Sequence, residues 1–179
     1  MIAYVDGGSR GNPGPAGIGV VIEHPTGRRV EINQCIGIRD NNYAEYAALL
    51  VALEYAAAYD SPSLQVYSDS EVVVRQIRGD YHCQSPALRD IHSACKALIG
   101  TFQQFAITHI RRENNADADR LANQAIERAT REKPSVGNDP SESCFLGPVG
   151  HVTELVASPL GWAGSSNPAE NLEALSGRR

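Results

Sequence analysis

Four acidic residues stand where a side chain can do chemistry. Asp6 closes an apolar run expected as a short strand, Ile2–Asp6. Glu45 opens a long helical pattern, one turn before Leu49. Asp69 follows the β-rich Leu64–Tyr67, and Asp119 starts the last helical pattern, in line with Ala122 and Ile126. If the strands of Asp6 and Asp69 are parallel neighbours, their ends converge on one edge of a sheet. Carboxylates gathered there repel and raise each other's pKa unless a cation neutralises them. Hard divalent ions such as Mg²⁺ take oxygen ligands of this kind and keep several waters. Two such ions about 4 Å apart activate a water and stabilise the leaving oxygen of a phosphodiester. Each acid also has a plain reading. A strand-end Asp is a turn former. Ser68 to Glu71 spells a capping box, which would make Asp69 a first-turn acid, and Glu45 and Asp119 sit in first turns as well. Spacing alone leaves both readings open.

The elements that must position these acids follow from hydrophobic period. After the first strand comes a Gly/Pro-rich bend, Gly7 to Gly14, then two β-rich runs, Ile18–Glu23 and Arg29–Ile36, joined at Pro25-Thr26-Gly27. A helix is expected from Tyr43 to Ala58, with Tyr46, Leu49, Leu50, Leu53 and Ala57 on one stripe. The strand Leu64–Tyr67 and a helix Glu71–Arg78, stopped by Gly79, come next. A helix Pro86–Ile99, a strand Phe105–Ile110 and a helix Ala116–Arg131 complete the series. Three antiparallel strands followed by two βα crossovers imply an α/β fold: a five-stranded mixed sheet with helices on both faces.

Composition narrows the class. The chain has 179 residues and formal net charge -5, enough for one ordinary core without staples. No uncharged apolar run approaches the roughly 18 residues of a membrane span, and the start MIAYVDGG lacks a secretory pattern. Cys35, Cys83, Cys95 and Cys144 lie far apart without CxxC spacing, which fits a reducing cytoplasm. A pI near 5.5 argues against holding nucleic acid by bulk positive charge. Position modifies that reading. Residues 1–132 carry 13 Lys and Arg against 16 Asp and Glu, and setting aside the four acids leaves 13 against 12. Arg10, Arg75, Arg78, Arg111 and Arg112 are expected near the acids. Residues 133–179 hold 18 Pro, Gly or Ser in 47 and read as a tail, in part disordered. One short helix is expected there near 168–176, and its Leu172 and Leu175 need a surface to dock on, in the domain or in a protein partner.

Four blocks in order carry a family resemblance. Asp6-Gly-Gly-Ser-Arg-Gly-Asn-Pro-Gly-Pro-Ala-Gly, Asn41-Asn42-Tyr43-Ala44-Glu45, Tyr67-Ser68-Asp69-Ser70 and Ala118-Asp119-Arg120-Leu121-Ala122-Asn123 resemble type 1 ribonuclease H, over residues 1 to about 131. The resemblance implies an endoribonuclease that hydrolyses the RNA strand of RNA/DNA hybrids, leaving 3′-hydroxyl and 5′-phosphate ends. It implies that Asp6, Glu45, Asp69 and Asp119 bind two Mg²⁺ ions, or Mn²⁺ in their place, with Asp6 bridging. Asp117 lies outside the matching pattern. Gly7, Gly8, Asn12 and Asn42 are candidates for contacts to the RNA sugar, where the 2′-hydroxyl distinguishes RNA from DNA. Family members often place a His in the loop before the last acid. Here Arg112 is expected in that role, with His109 a strand residue. A basic helical protrusion found in some members is missing, since Arg89 and Lys96 are the only cations between Gly79 and Gln103. Two other readings remain: a non-catalytic hybrid-binding module, and a nuclease of this fold acting on another duplex.

Overall fold

In the computed structural model, which describes residues 1–131, alternation along the first strand organises everything else. β1 (Ile2–Ser9) sends Ala3, Val5 and Gly7 to one face and Tyr4, Asp6 and Gly8 to the other. It pairs antiparallel with β2 (Gly14–Glu23), which pairs antiparallel with β3 (Arg29–Arg39). On its other side β1 runs parallel to β4 (Ser63–Ser68), and β4 to β5 (Gln104–His109). The sheet order is β3-β2-β1-β4-β5, so β1 is central. This is the mixed five-stranded sheet that the element order implies.

Helices cover both faces. α1 (Asn41–Ala58) lies on β1 and β2, and α3 (Pro86–Ile99) packs against α1. Ala3, Val5, Ile18, Val20 and Ile22 from the sheet meet Tyr46, Leu49 and Leu53 of α1 in one core, with Val66 of β4. α2 (Glu71–Arg78) follows β4 and ends on Gly79, whose left-handed φ of 91° suits glycine. α4 (Ala116–Arg131) covers the opposite face of β1, β2 and β3, with Leu121, Ala122, Ala125 and Ile126 buried.

The structure moves several boundaries. Gly7 and Gly8 belong to β1, whose ladder with β2 continues through Ser9↔Ala16, so the expected bend shrinks to the residues between Ser9 and Gly14. At Gly7 glycine is needed for packing rather than turning: a Cβ there would lie 2.1 Å from the Ala44 carbonyl carbon. α1 begins at Asn41, not Tyr43, because the Asp40 side chain accepts the Tyr43 N–H at 2.8 Å. α1 is also buried almost all round, since α3 covers the side turned away from the sheet. β2 and β3 run longer than their β-rich cores, and a 3₁₀ turn, Arg112–Asn114, precedes α4. The expected tail helix near 168–176 lies outside the described residues.

Candidate active site

Parallel pairing of β1 and β4 is registered through Val5↔Ser68. Asp6 and Asp69 therefore stand just past the last registered pair, where the two strand ends converge. Glu45 approaches from the first turns of α1, because the close seat of Ala44 and Glu45 on Gly7 brings its carboxylate to the Gly7 N–H, which donates to Oε2 at 3.2 Å. One carboxylate oxygen from each of Asp6, Glu45 and Asp69 lies within 4.8 Å of the others. Asp6 and Glu45 are buried. The capping box expected at Ser68 does not form. Ser68 is the last residue of β4, Ser70 occupies the N-cap position of α2 without a side-chain cap bond, and Glu71 pairs with Arg75. Asp69 is thus placed between strand and helix rather than inside a first turn.

Electrostatics of the trio follow from crowding. Burial, then the carboxylates of Asp69 and Asp119, push Asp6 up to about 7. Burial, then Asp6 and Asp69, hold Glu45 well above its ordinary value, opposed by the Gly7 N–H. Asp119 is close enough to act on Asp6 but lies outside the trio. Its carboxylate is paired with Arg112 and accepts from Asn123 Nδ2 at 3.1 Å. Arg112 is the cation in direct contact with one of the four acids among the described residues, and its side chain is 71% exposed.

Three of the other expected cations contact groups outside the four acids. Arg10 faces Glu127 at 3.5 Å, Arg75 pairs with Glu71, and Arg78 donates to the Ile107 carbonyl at 2.9 Å. Asp117 pairs with Arg29 of β3, on a different side of α4 from Asp119. Asn12 and Asn42 are exposed, Asn42 in the first turn of α1, and Asn12 Oδ1 accepts the Asn41 N–H at 3.1 Å. His109 ends β5, as expected, with its ring 3.2 Å from the Asp69 carbonyl oxygen. A cavity of about 300 Å³ under the start of α4 is lined by Tyr4, Val21, Arg29 and Asn115, and by none of the four acids.

Two asparagines escaped the sequence reading. Asn123 sits four residues after Asp119, a helical spacing that sequence does reveal. Asn115 is 1% exposed, and its Nδ2 donates to the Val5 carbonyl and to Asp69 Oδ1, each at 2.9 Å. In sequence it is one polar residue among several in the stretch before the last helix, and nothing local marks its partners.

Fold and site together define an α/β protein with a carboxylate cluster where two parallel strands of a mixed sheet end. A family model described as "Reverse transcriptase-like" matches residues 4–125. Ribonuclease HI of Halobacterium salinarum is 41% identical over 128 residues, covering 71% of this chain and 64% of that protein. The bifunctional protein Rv2228c of Mycobacterium tuberculosis is 35% identical over 168 residues, covering 92% of this chain and 43% of that protein. Among solved structures, LC11-RNase H1 in complex with an RNA/DNA hybrid is 41% identical with TM-score 0.67, covering 72% of this chain and 98% of that one. The chain belongs to the type 1 ribonuclease H family. It spans less than two thirds of the length of these two curated relatives. No helix among the described residues is long and apolar enough to cross a membrane.

Proposed function

We propose that this protein is a metal-dependent endoribonuclease that hydrolyses the RNA strand of RNA/DNA hybrids, leaving 5′-phosphate and 3′-hydroxyl ends. The observation that carries the reading is the trio Asp6, Glu45 and Asp69, with ligand oxygens within 4.8 Å of one another on the residues that match the family blocks. The trio fits a hard divalent ion: the donors are all oxygen, two of the three residues are buried, and among the described residues none of the three forms an ion pair, the nearest acting cation, Arg112, being paired with Asp119. Asp6, Glu45 and Asp69 would hold one ion, and Asp6 with Asp119 a second, Mg²⁺ being the ion proposed and Mn²⁺ its substitute. When bound, such ions supply an activated water and charge neutralisation for the departing 3′-oxygen.

The chain's own groups do the rest. The Gly7 N–H fixes one Glu45 oxygen, and Asn123 orients Asp119. Arg112, mostly exposed and tethered only through Asp119, is proposed to exchange that carboxylate for a phosphate of the hybrid. Gly7 and Gly8 are proposed to serve the substrate through backbone groups, with Asn12 and Asn42 at the exposed rim contacting sugars. Residues 1–132 form the proposed catalytic unit, with 133–179 a tail. A cytoplasmic setting is proposed, and among the described residues Cys35, Cys83 and Cys95 form no disulfide.

The experiment offers labelled RNA/DNA, RNA/RNA and DNA/DNA duplexes to purified protein with Mg²⁺, Mn²⁺ or EDTA. Cleavage confined to the RNA strand of the hybrid, lost in EDTA and reduced at least about 1000-fold by Asp69→Asn, is the expected result. Hybrid binding without cleavage in either metal would establish a binding module instead. Cleavage of another duplex in preference would change the substrate.

A further inference from the structure

We propose that Asn115 is a positioning residue that sets the spacing between Asp69 and Asp6, a role that rests on the metal-centre reading above. The backbone register of β1 with β4 runs through Val5↔Ser68 and stops short of the two acids. Past that point the Asn115 amide ties the strand ends together. Its Nδ2 donates to the Val5 carbonyl, adjacent to Asp6, and to Asp69 Oδ1, both at 2.9 Å. Both partners only accept, so both amide hydrogens are committed and the nitrogen must face them. The same residue's carbonyl accepts the Asp119 N–H at 3.0 Å, which begins the helix carrying the fourth acid. One buried residue is thereby attached to β1, to the β4–α2 junction and to α4.

Helix capping does not account for this arrangement. An asparagine at a helix start ordinarily turns its side-chain oxygen to an N–H of the first turn. Asn115 Oδ1 is buried and accepts no such bond. The side chain is turned the other way, toward Asp69. With Oδ1 of Asp69 accepting from the amide, the Asp69 carboxylate is held in one orientation. Groups that orient metal ligands in this way typically account for about 10–100-fold in metal affinity or activity.

The test titrates Mg²⁺ into the metal-free full chain by calorimetry and measures steady-state hybrid cleavage, for the wild type, Asn115→Ser and Asn115→Ala. Serine retains a capping oxygen but cannot reach both acceptors. The expected result is unchanged helix content by circular dichroism, Mg²⁺ affinity and kcat each lower by about tenfold or more, and an unchanged KM for hybrid. A folded serine variant with wild-type Mg²⁺ affinity and kcat overturns the proposal, as does a loss confined to Tm or KM. A variant-free measurement stands beside it. In ¹⁵N-labelled wild type the Asn115 side-chain amide should exchange slowly and shift on Mg²⁺ addition, and fast exchange without a shift overturns the proposal. A wild type that neither binds Mg²⁺ nor cleaves hybrid overturns the metal-centre reading itself. Wild-type binding and cleavage that ignore Asn115 overturn the positioning role alone.

Discussion

Asp6 and Glu45 are buried beside each other and beside Asp69, and this has a thermodynamic sign. A carboxyl whose native pKa exceeds its unfolded value binds more protons in the native state, so stability falls as pH rises between the two values. For Asp6 that window opens near the ordinary value of 3.8 and closes at about 7. Metal-free protein is accordingly expected to lose stability from pH 4 to pH 7, by on the order of 4 kcal/mol. Urea unfolding in EDTA across that range checks it; stability that rises or stays flat would remove the crowded-carboxylate picture. Saturating Mg²⁺ should reverse the trend. Arg112 behaves differently. Its pair with Asp119 is solvent-exposed on the arginine side and contributes little to stability, so it can be broken by a phosphate at small cost.

Glycines seat the helices. A Cβ on Gly19 would lie 2.1 Å from the Ala118 carbonyl oxygen and 2.6 Å from the Ala122 nitrogen, both backbone atoms of α4. Gly19→Ala must therefore lift the helix that bears Asp119, at a cost of about 3 kcal/mol, and lower kcat with it. Gly27 has open space around it but a φ of +82°, so Gly27→Ala should cost only about 1 kcal/mol and leave kcat alone. Urea unfolding and hybrid cleavage of the two variants distinguish packing from turn strain; equal costs would refute the seat. The same glycines explain what sequence conveyed and what it hid. Amphipathic stripes located α3 and α4 at their observed bounds, because each presents one face to the molecule. The run from Gly7 to Gly14 looked like a single turn, whereas Gly7 and Gly8 continue a strand pressed by α1 on one side and α4 on the other. Asp6, Glu45 and Asp69 were legible from motif order. That Asn115 bridges the strand ends depends on contacts with Val5 and Asp69, 110 and 46 residues away in sequence, which no local pattern encodes.

At the scale of the whole molecule, charge is spent internally. Arg10, Arg29, Arg75, Arg120 and Arg131 each face a carboxylate, and Lys96 donates to the Ile77 carbonyl at 3.1 Å. Among the described residues nothing between α2 and α3 forms a basic protrusion. Hybrid binding is therefore expected to rest on few phosphate contacts, with log affinity falling against log salt at a slope no steeper than about −3. Fluorescence anisotropy over a salt series measures it, and a slope near −6 would point to a basic surface outside residues 1–131. At Gly17 and Gly19 the backbone of α4 comes directly against the backbone of β2, so its height above the sheet is set there by glycines. A conservative substitution among the apolar residues on the α1 face of the sheet is then expected to leave Asp119 in place. The placement of the fourth acid thus hangs on a few positions in the sheet that have no side chain at all.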